Sequence, residues 1–284
     1  MSQVQEVATQ LKAMNTIVGL TSVFEGIASM RIAQVKSQVL QSQKFFSELW
    51  QIYSQIRVDN QFRFGRHGHE AAIDKQLYII ITSEGGFSGD IDQKLITWML
   101  EQYKPEMQDI IVVGHHGAIQ LIQNKVAFKK YFTLPSRDRN INVQPLVNEV
   151  SRYRSTVVFY QSYVSLMAQD VKRIELQTAV TEEARQVNLQ GEDVISEFTY
   201  IFEPSSYDVI AHLERSMVQI ALSQVILDSK LAQYASRFRA MNLAHERADD
   251  LFTDLTMQYN RTKRRVKDER LKEMINGLRK TETA

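Results

Sequence analysis

The sequence predicts an α/β domain carried between two long α-helices that pair as an antiparallel coiled coil. Three observations predict it. The last stretch, 205–276, has no glycine or proline and repeats apolar residues in steps of three and four. The first 64 residues do the same, with only Gly19 and Gly26 interrupting. Between them, short β-branched runs alternate with helical segments and glycine-rich turns.

The N-terminal segment, 1–64, carries Val4, Val7, Leu11, Met14, Val18, Thr21, Glu25, Ala28, Ile32, Val35, Val39, Ser42, Phe46, Leu49, Tyr53 and Ile56 on one stripe. That 3.5-residue stride is a coiled-coil seam, narrower than the apolar face of a helix lying on a globular core. One charge, Glu25, interrupts it. Each glycine costs about 1 kcal/mol against alanine inside a helix, so pairing or a close approach must offset Gly19 and Gly26.

The central segment, 65–204, opens with an exposed loop at 63–70. Gln76–Thr82 reads as a buried strand, 83–90 as a glycine-rich turn and Ile91–Tyr103 as a helix. Asp109–Val113 is a second strand, Gly114–Asn124 a helix, Val126–Leu134 a third strand and Pro145–Arg154 a helix. Strand–helix alternation predicts a Rossmann-like, mainly parallel sheet covered on both faces. Thr156–Ala168 and Val171–Val180 have no helix between them and read as a later antiparallel hairpin. Glu197–Phe202 reads as a last short strand.

The C-terminal segment, 205–284, starts with serine available as N-cap. Its seam is Ile220, Leu227, Leu231, Tyr234, Phe238, Met241, Ala248, Phe252, Leu255, Tyr259 and Val266, with Gln224, His245 and Thr262 as its polar positions. About 70 helical residues at 1.5 Å each make a rod of roughly 105 Å, which must project from a chain of this size.

Composition narrows the function. The chain has 284 residues, 44% hydrophobic, with a net charge of +1, which argues against a disordered tail and a general polyanion binder. It has no cysteine, which excludes disulfides, thiol switches and cysteine metal sites. The longest apolar runs, such as Leu77–Ile81, fall far short of the roughly 20 residues that span a bilayer. No signal or transit segment is legible near the start. A soluble intracellular protein is expected, with peripheral membrane attachment through a partner left open.

Several constellations invite chemistry. Gly85, Gly86 and Gly89 lie between a strand and a helix, where a phosphate loop would sit. They match neither the dinucleotide fingerprint nor the lysine-bearing P-loop, and Glu84 and Asp90 would repel phosphate; a structural turn is expected. His67, His69 and Glu70, and the pair His115–His116, lack a distant third ligand and read as solvated clusters. No serine, histidine and acid stand in a recognisable nucleophile context. No catalytic residue, metal or cofactor is expected. From Asn260 to Lys280 nine basic residues face three acidic ones. That +6 run is either a solvated helix end favoured by the dipole or a tip that meets acidic protein surfaces.

Four segments resemble the gamma subunit, the central shaft, of rotary F-type ATP synthases. They are Leu20, Thr21, Ile27, Ala28, Ser29 and Arg31; Ile80 to Asp92; Tyr200 to Ser205; and Ala235 to Ala244 with Tyr259, Asn260 and Arg261 downstream. They span nearly the whole chain in order. The chain also departs from the family pattern. Val18, Gly19 and Ser22 stand where basic residues are usual, and Val23–Phe24 replaces an Ala–Met pair. Lys263–Arg264, Lys267–Asp268 and Arg270 replace the family's arginine–glutamine pair and the following Ile-Thr-acid.

The resemblance implies a non-catalytic rotor. Its partners would be the alpha and beta subunits that ring it, the epsilon subunit and the c-subunit ring, with ion flow turning the shaft. It implies a peripheral place on the cytoplasmic face of the bacterial plasma membrane, or on an organellar inner membrane. Phe24, Glu25, Arg237, Arg239, Met241, Asn260, Arg261, Lys263, Arg264 and Arg265 are the expected shaft and ring contacts. Glu25 is expected beside Arg237 or Arg239. That register puts residue 1 near 261 and leaves the segment after Arg261 unpaired. The alternatives are a coiled-coil tether with an α/β head, and an enzyme that binds a nucleotide.

Overall fold

A computed structural model describes residues 3–55, 73–134, 138, 141–176, 201 and 203–282. In chain order the elements are α1 (Gln3–Gln55), β1 (Ile73–Ile81), α2 (Ile91–Leu100), β2 (Gln108–Val113), α3 (His115–Gln123), β3 (Lys130–Phe132), α4 (Gln144–Val150), β4 (Tyr153–Tyr163), β5 (Gln169–Glu175) and α5 (Ser206–Glu282). They fall into two units. One is 1–27 with 238–284, and the other is 28–237.

The larger unit is built on one five-stranded sheet in the order β3-β2-β1-β4-β5. β1 pairs parallel with β2 and β4, and β2 parallel with β3. β4 and β5 pair antiparallel, from Val157↔Glu175 to Tyr163↔Gln169, which is the expected hairpin. Successive strand residues point to opposite faces, so the continuous apolar runs serve two cores. Leu77, Ile79, Ile81, Ile111, Val113, Val158 and Tyr160 face α4, Phe46 of α1, and Met217 to Ile226 of α5. Tyr78, Ile80, Ile110, Val112, Val157 and Phe159 face Leu95, Ile96 and Met99 of α2 and Leu121 of α3. Phe159 anchors the second core, with Tyr78 at 4.9 Å and Trp98 edge-on at 5.7 Å between ring centroids.

Several boundaries differ from expectation. α2 stops at Leu100 rather than Tyr103 because Pro105 disfavours helix in the residue before it, and Gln102 N–H turns back to Met99 O at 3.0 Å. α4 ends at Val150 because Tyr153 is claimed by pairing with Ile73. The third strand shrinks to 130–132. Val126 and Phe128 pack beneath α2 and α3 without strand pairing, after a left-handed turn at Lys125. The loop at 63–70 and most of the strand at 197–202 lie outside the described residues; Ile201 itself is exposed and in no strand.

In this unit α1 meets α5 through Val35, Leu227 and Leu231, flanked by Ile32, Val39 and Tyr234. α5 begins as expected: the Ser205 hydroxyl accepts from Asp208 N–H at 3.1 Å and donates to the Asp208 carboxylate at 2.6 Å. The first of these bonds satisfies one backbone donor left open at the helix start.

The smaller unit pairs the first turns of α1 with the last part of α5. The predicted seam residues here, from Val4 to Glu25 and from Phe238 to Val266, are all buried or half-buried. Their register is fixed by Thr21 Oγ1, 3.3 Å from His245 Nδ1, and by an Arg265–Gln3 side-chain hydrogen bond. Glu25 therefore sits across from about residue 241, one turn from its expected place opposite 237. Pairing runs on to Arg265 instead of ending at Arg261. One 18-residue window of α1 has a mean hydropathy of 1.2, long and apolar enough by that measure to cross a membrane. Its apolar residues are interspersed with polar ones rather than gathered in one run, so the contiguous runs in the sequence stay short.

Candidate functional site: the glycine-rich turn and the surface of the helix pair

The glycine-rich turn is occupied by the chain itself. Phe87 and Gly89 adopt φ of 68° and 67°, which bends the turn back onto α5. Arg237 donates from Nε to Gly86 O at 3.1 Å and from Nη2 to Gly85 O at 3.2 Å and Ser88 Oγ at 3.3 Å. Ser236 Oγ donates to Ser88 O at 2.7 Å. A phosphate cradle must aim N–H groups at its ligand; this turn aims carbonyl oxygens at a guanidinium. Burial pulls the Arg237 pKa below its ordinary value, against the influence of Tyr234 and Asp92. Glu84 accepts from Leu134 N–H, and Asp90 pairs with Lys94 at 2.9 Å. Both acids thus have structural partners.

Beneath the turn lies a polar network that the sequence did not signal. Asp92 is 3% exposed. It accepts from Ser83 N–H, the Ser83 hydroxyl and, at 2.6 Å, Gln161 Nε2. His116 Nδ1 lies 3.2 Å away. Gln161 Oε1 accepts from Ser229 Oγ at 2.5 Å, and Gln233 Nε2 donates to Ser229 Oγ at 3.0 Å. Serine, histidine and acid meet here, but Ser83 and Asp92 both approach the same ring nitrogen of His116. A nucleophile relay needs them on opposite nitrogens. The arrangement instead satisfies a buried carboxylate and joins the sheet to α5. A lone Gln or Ser on an apolar strand or helix face, such as Gln161 or Ser229, has no sequence pattern that would have revealed it. His115 and His116 open α3. His67, His69 and Glu70 lie outside the described residues. Among the described residues no three metal-ligating side chains converge.

In the smaller unit, the outside of the helix pair has two chemistries. Ile17, Leu20, Val23, Phe24 and Ile27 of α1 are 36–58% exposed. No charged residue lies between Ala13 and Phe24. Gly19 and Gly26 share this region, and a Cβ at either would meet nothing within 4 Å. The outer face of α5 is charged, ending in exposed Arg261, Lys263, Arg264 and Arg265. Lys263 lies over the Tyr259 ring at 5.5 Å, and Arg265 pairs with Glu269 at 3.8 Å. Beyond half-buried Val266 every described side chain is exposed, with Leu271, Met274 and Ile275 on one side of the helix.

Among the expected contact residues, Phe24, Arg239, Asn260, Arg261, Lys263, Arg264 and Arg265 are exposed and Glu25 is half-buried. Met241 is 7% exposed within the seam, and Arg237 is committed to the turn. These two face the chain's own interior.

A sequence model described as ATP synthase matches residues 3–279. The chain belongs to the ATP synthase family. Its relatives in that family include the ATP synthase gamma chain of Clostridium novyi, 23% identical over 96% of each chain. The gamma chain of Mesoplasma florum is 21% identical over 98% of each. The fold is also that of a chain in the rotor of the Euglena gracilis mitochondrial ATP synthase, with a TM-score of 0.62 and 13% identity over 93% of this chain and 98% of that one. A chain of the same enzyme's OSCP/F1/c-ring structure gives a TM-score of 0.64 at 13% identity, over 97% and 93%. The ATP synthase match thus covers both long helices and the sheet between them.

Proposed function

We infer that the chain is the central rotating shaft of an F-type ATP synthase. It couples ion-driven turning of a c-subunit ring to the conformational cycle of catalytic beta subunits. One observation carries this reading: the family match runs from residue 3 to residue 279 without leaving out a described element. In this role the chain is non-catalytic. Residues 1–64 and 205–284 form the shaft, and 65–204 the head that meets epsilon and the c ring. The complex lies peripherally on the cytoplasmic face of the bacterial membrane.

The mechanical task is to present different surfaces to otherwise equivalent sites. A contact shifts an equilibrium between open and closed states only by its differential affinity for them. The two-sided exterior of the helix pair supplies such a difference. Phe24 and its apolar neighbours offer a neutral face, whereas Arg239, Asn260, Arg261, Lys263, Arg264 and Arg265 offer a largely basic one. As the shaft turns, each alpha–beta pair meets these faces in succession. Glu25 remains a proposed contact at the edge of the neutral face.

Affinity purification of the tagged full-length chain from its own membranes tests the reading. Alpha, beta, epsilon and c subunits should co-purify. Recovery with unrelated scaffold proteins would support a tether, and recovery alone with a bound nucleotide would support an enzyme.

A further inference from the structure

We propose that Asp138 is the joint at which the sheet domain grips both long helices, positioning them against twist in the rotary role inferred above. The claim rests on that role and on three side chains of the larger unit. Asp138 lies in the connection between β3 and α4. Its Oδ2 is 3.3 Å from Arg31 Nη1 on α1, and its Oδ1 pairs with Lys230 Nζ on α5. The Asp138 and Lys230 side chains are 5% and 3% exposed, and that of Arg31 is 42% exposed. An ammonium as buried as Lys230 is strongly unfavourable without a counter-charge, so Lys230 and Asp138 require one another. Tyr234, one turn along α5, borders the pair: burial raises its pKa, and the Asp138 carboxylate raises it further.

Further polar contacts between sheet domain and helices reach α5. Gln161 meets Ser229 and Gln233, Tyr163 N–H donates to Asp228 at 3.3 Å, and the glycine-rich turn receives Ser236 and Arg237. Towards α1 the packing described is apolar, through Phe46 and Val35. Apolar packing is non-directional, whereas a paired buried charge has one arrangement that satisfies it, and fixing register is the best-attested use of such groups. Asp138 adds a directional hold on α1 and shares it with α5. Torque entering through the sheet domain then reaches both helices together.

The test uses the intact complex carrying Arg31→Gln, which removes the α1 arm and leaves the buried Asp138–Lys230 pair. The readouts are the ratio of gradient-driven ATP synthesis to ATP hydrolysis, and the melting temperature. The ratio should fall about fivefold with hydrolysis and melting close to the parent, and Arg31→Lys should recover most of it. A parental ratio in Arg31→Gln overturns the proposal, as does a lowered ratio accompanied by a fall in hydrolysis and in melting temperature. Should Arg31→Gln not assemble, Asp138→Glu decides, because it keeps the charge and lengthens the arm. A lowered ratio at unchanged melting then supports the joint, and a parental ratio overturns it. A parent complex lacking this chain altogether would refute the shaft reading, whereas a working parent beside an unaffected variant refutes only the joint.

Discussion

Gly114 has no room for a side chain. Its φ is 106°, and an added Cβ would lie 2.1 Å from the backbone oxygen of Thr82. Backbone cannot swing aside as a lysine would, so Gly114→Ala combines a clash with a strained conformation. It should cost at least about 2 kcal/mol and lower the melting temperature accordingly. Gly26 has open space around it and sits within a helix, where Gly→Ala should stabilise by about 0.5–1 kcal/mol. Equal melting of the two variants would contradict this. Asp109 makes a pH prediction at the same scale. Burial pushes its pKa up, but hydrogen bonds from Tyr153, Lys129 and Lys75 and the nearby ammonium outweigh that and hold it below its ordinary value. A carboxylate depressed in the folded state contributes stability at neutral pH that is lost as pH falls through the folded pKa. Asp109→Asn should therefore flatten the acid side of the stability curve below the usual carboxylate range. An acid limb unchanged from the parent would count against these contacts.

At the scale of elements, the seams were legible because a 3.5-residue stride needs no knowledge of the partner. The strands were legible because two-sided burial writes a continuous β-branched run. The register was not legible. It hung on an expected pairing of Glu25 with Arg237 or Arg239, whereas Arg237 serves the glycine-rich turn and Thr21 with His245 sets the pairing instead. Single polar residues such as Gln161 and Ser229 carry no period, so the network under the turn was invisible. The acidic flanks of the turn lead to the expectation that it is structural, and its carbonyls facing Arg237 add a physical reason for it. Calorimetric titration should accordingly find no micromolar ATP binding to the isolated chain; such binding would revive the enzyme reading. The basic stretch of α5 makes a further prediction. Reversing Arg261, Lys263, Arg264 and Arg265 to glutamate should lower the yield of intact complex and coupled synthesis, while far-UV circular dichroism and melting of the sheet domain stay parental. Normal yield and coupling would reduce the cluster to a solvated helix end.

As a whole, the molecule is inferred to turn. Its family, its uninterrupted helices and the two chemistries on the smaller unit's exterior suit a rotor whose faces are read in sequence by surrounding subunits. A rigid element must carry that motion, and the buried polar contacts between sheet and helices provide fixed attachments. The direct measurement is single-molecule rotation. The complex is immobilised through its catalytic ring, and a bead is attached to an engineered cysteine on this chain, which has none of its own. With ATP supplied, the bead should rotate in one direction. A bead that stays fixed while the same complexes hydrolyse ATP would contradict the account.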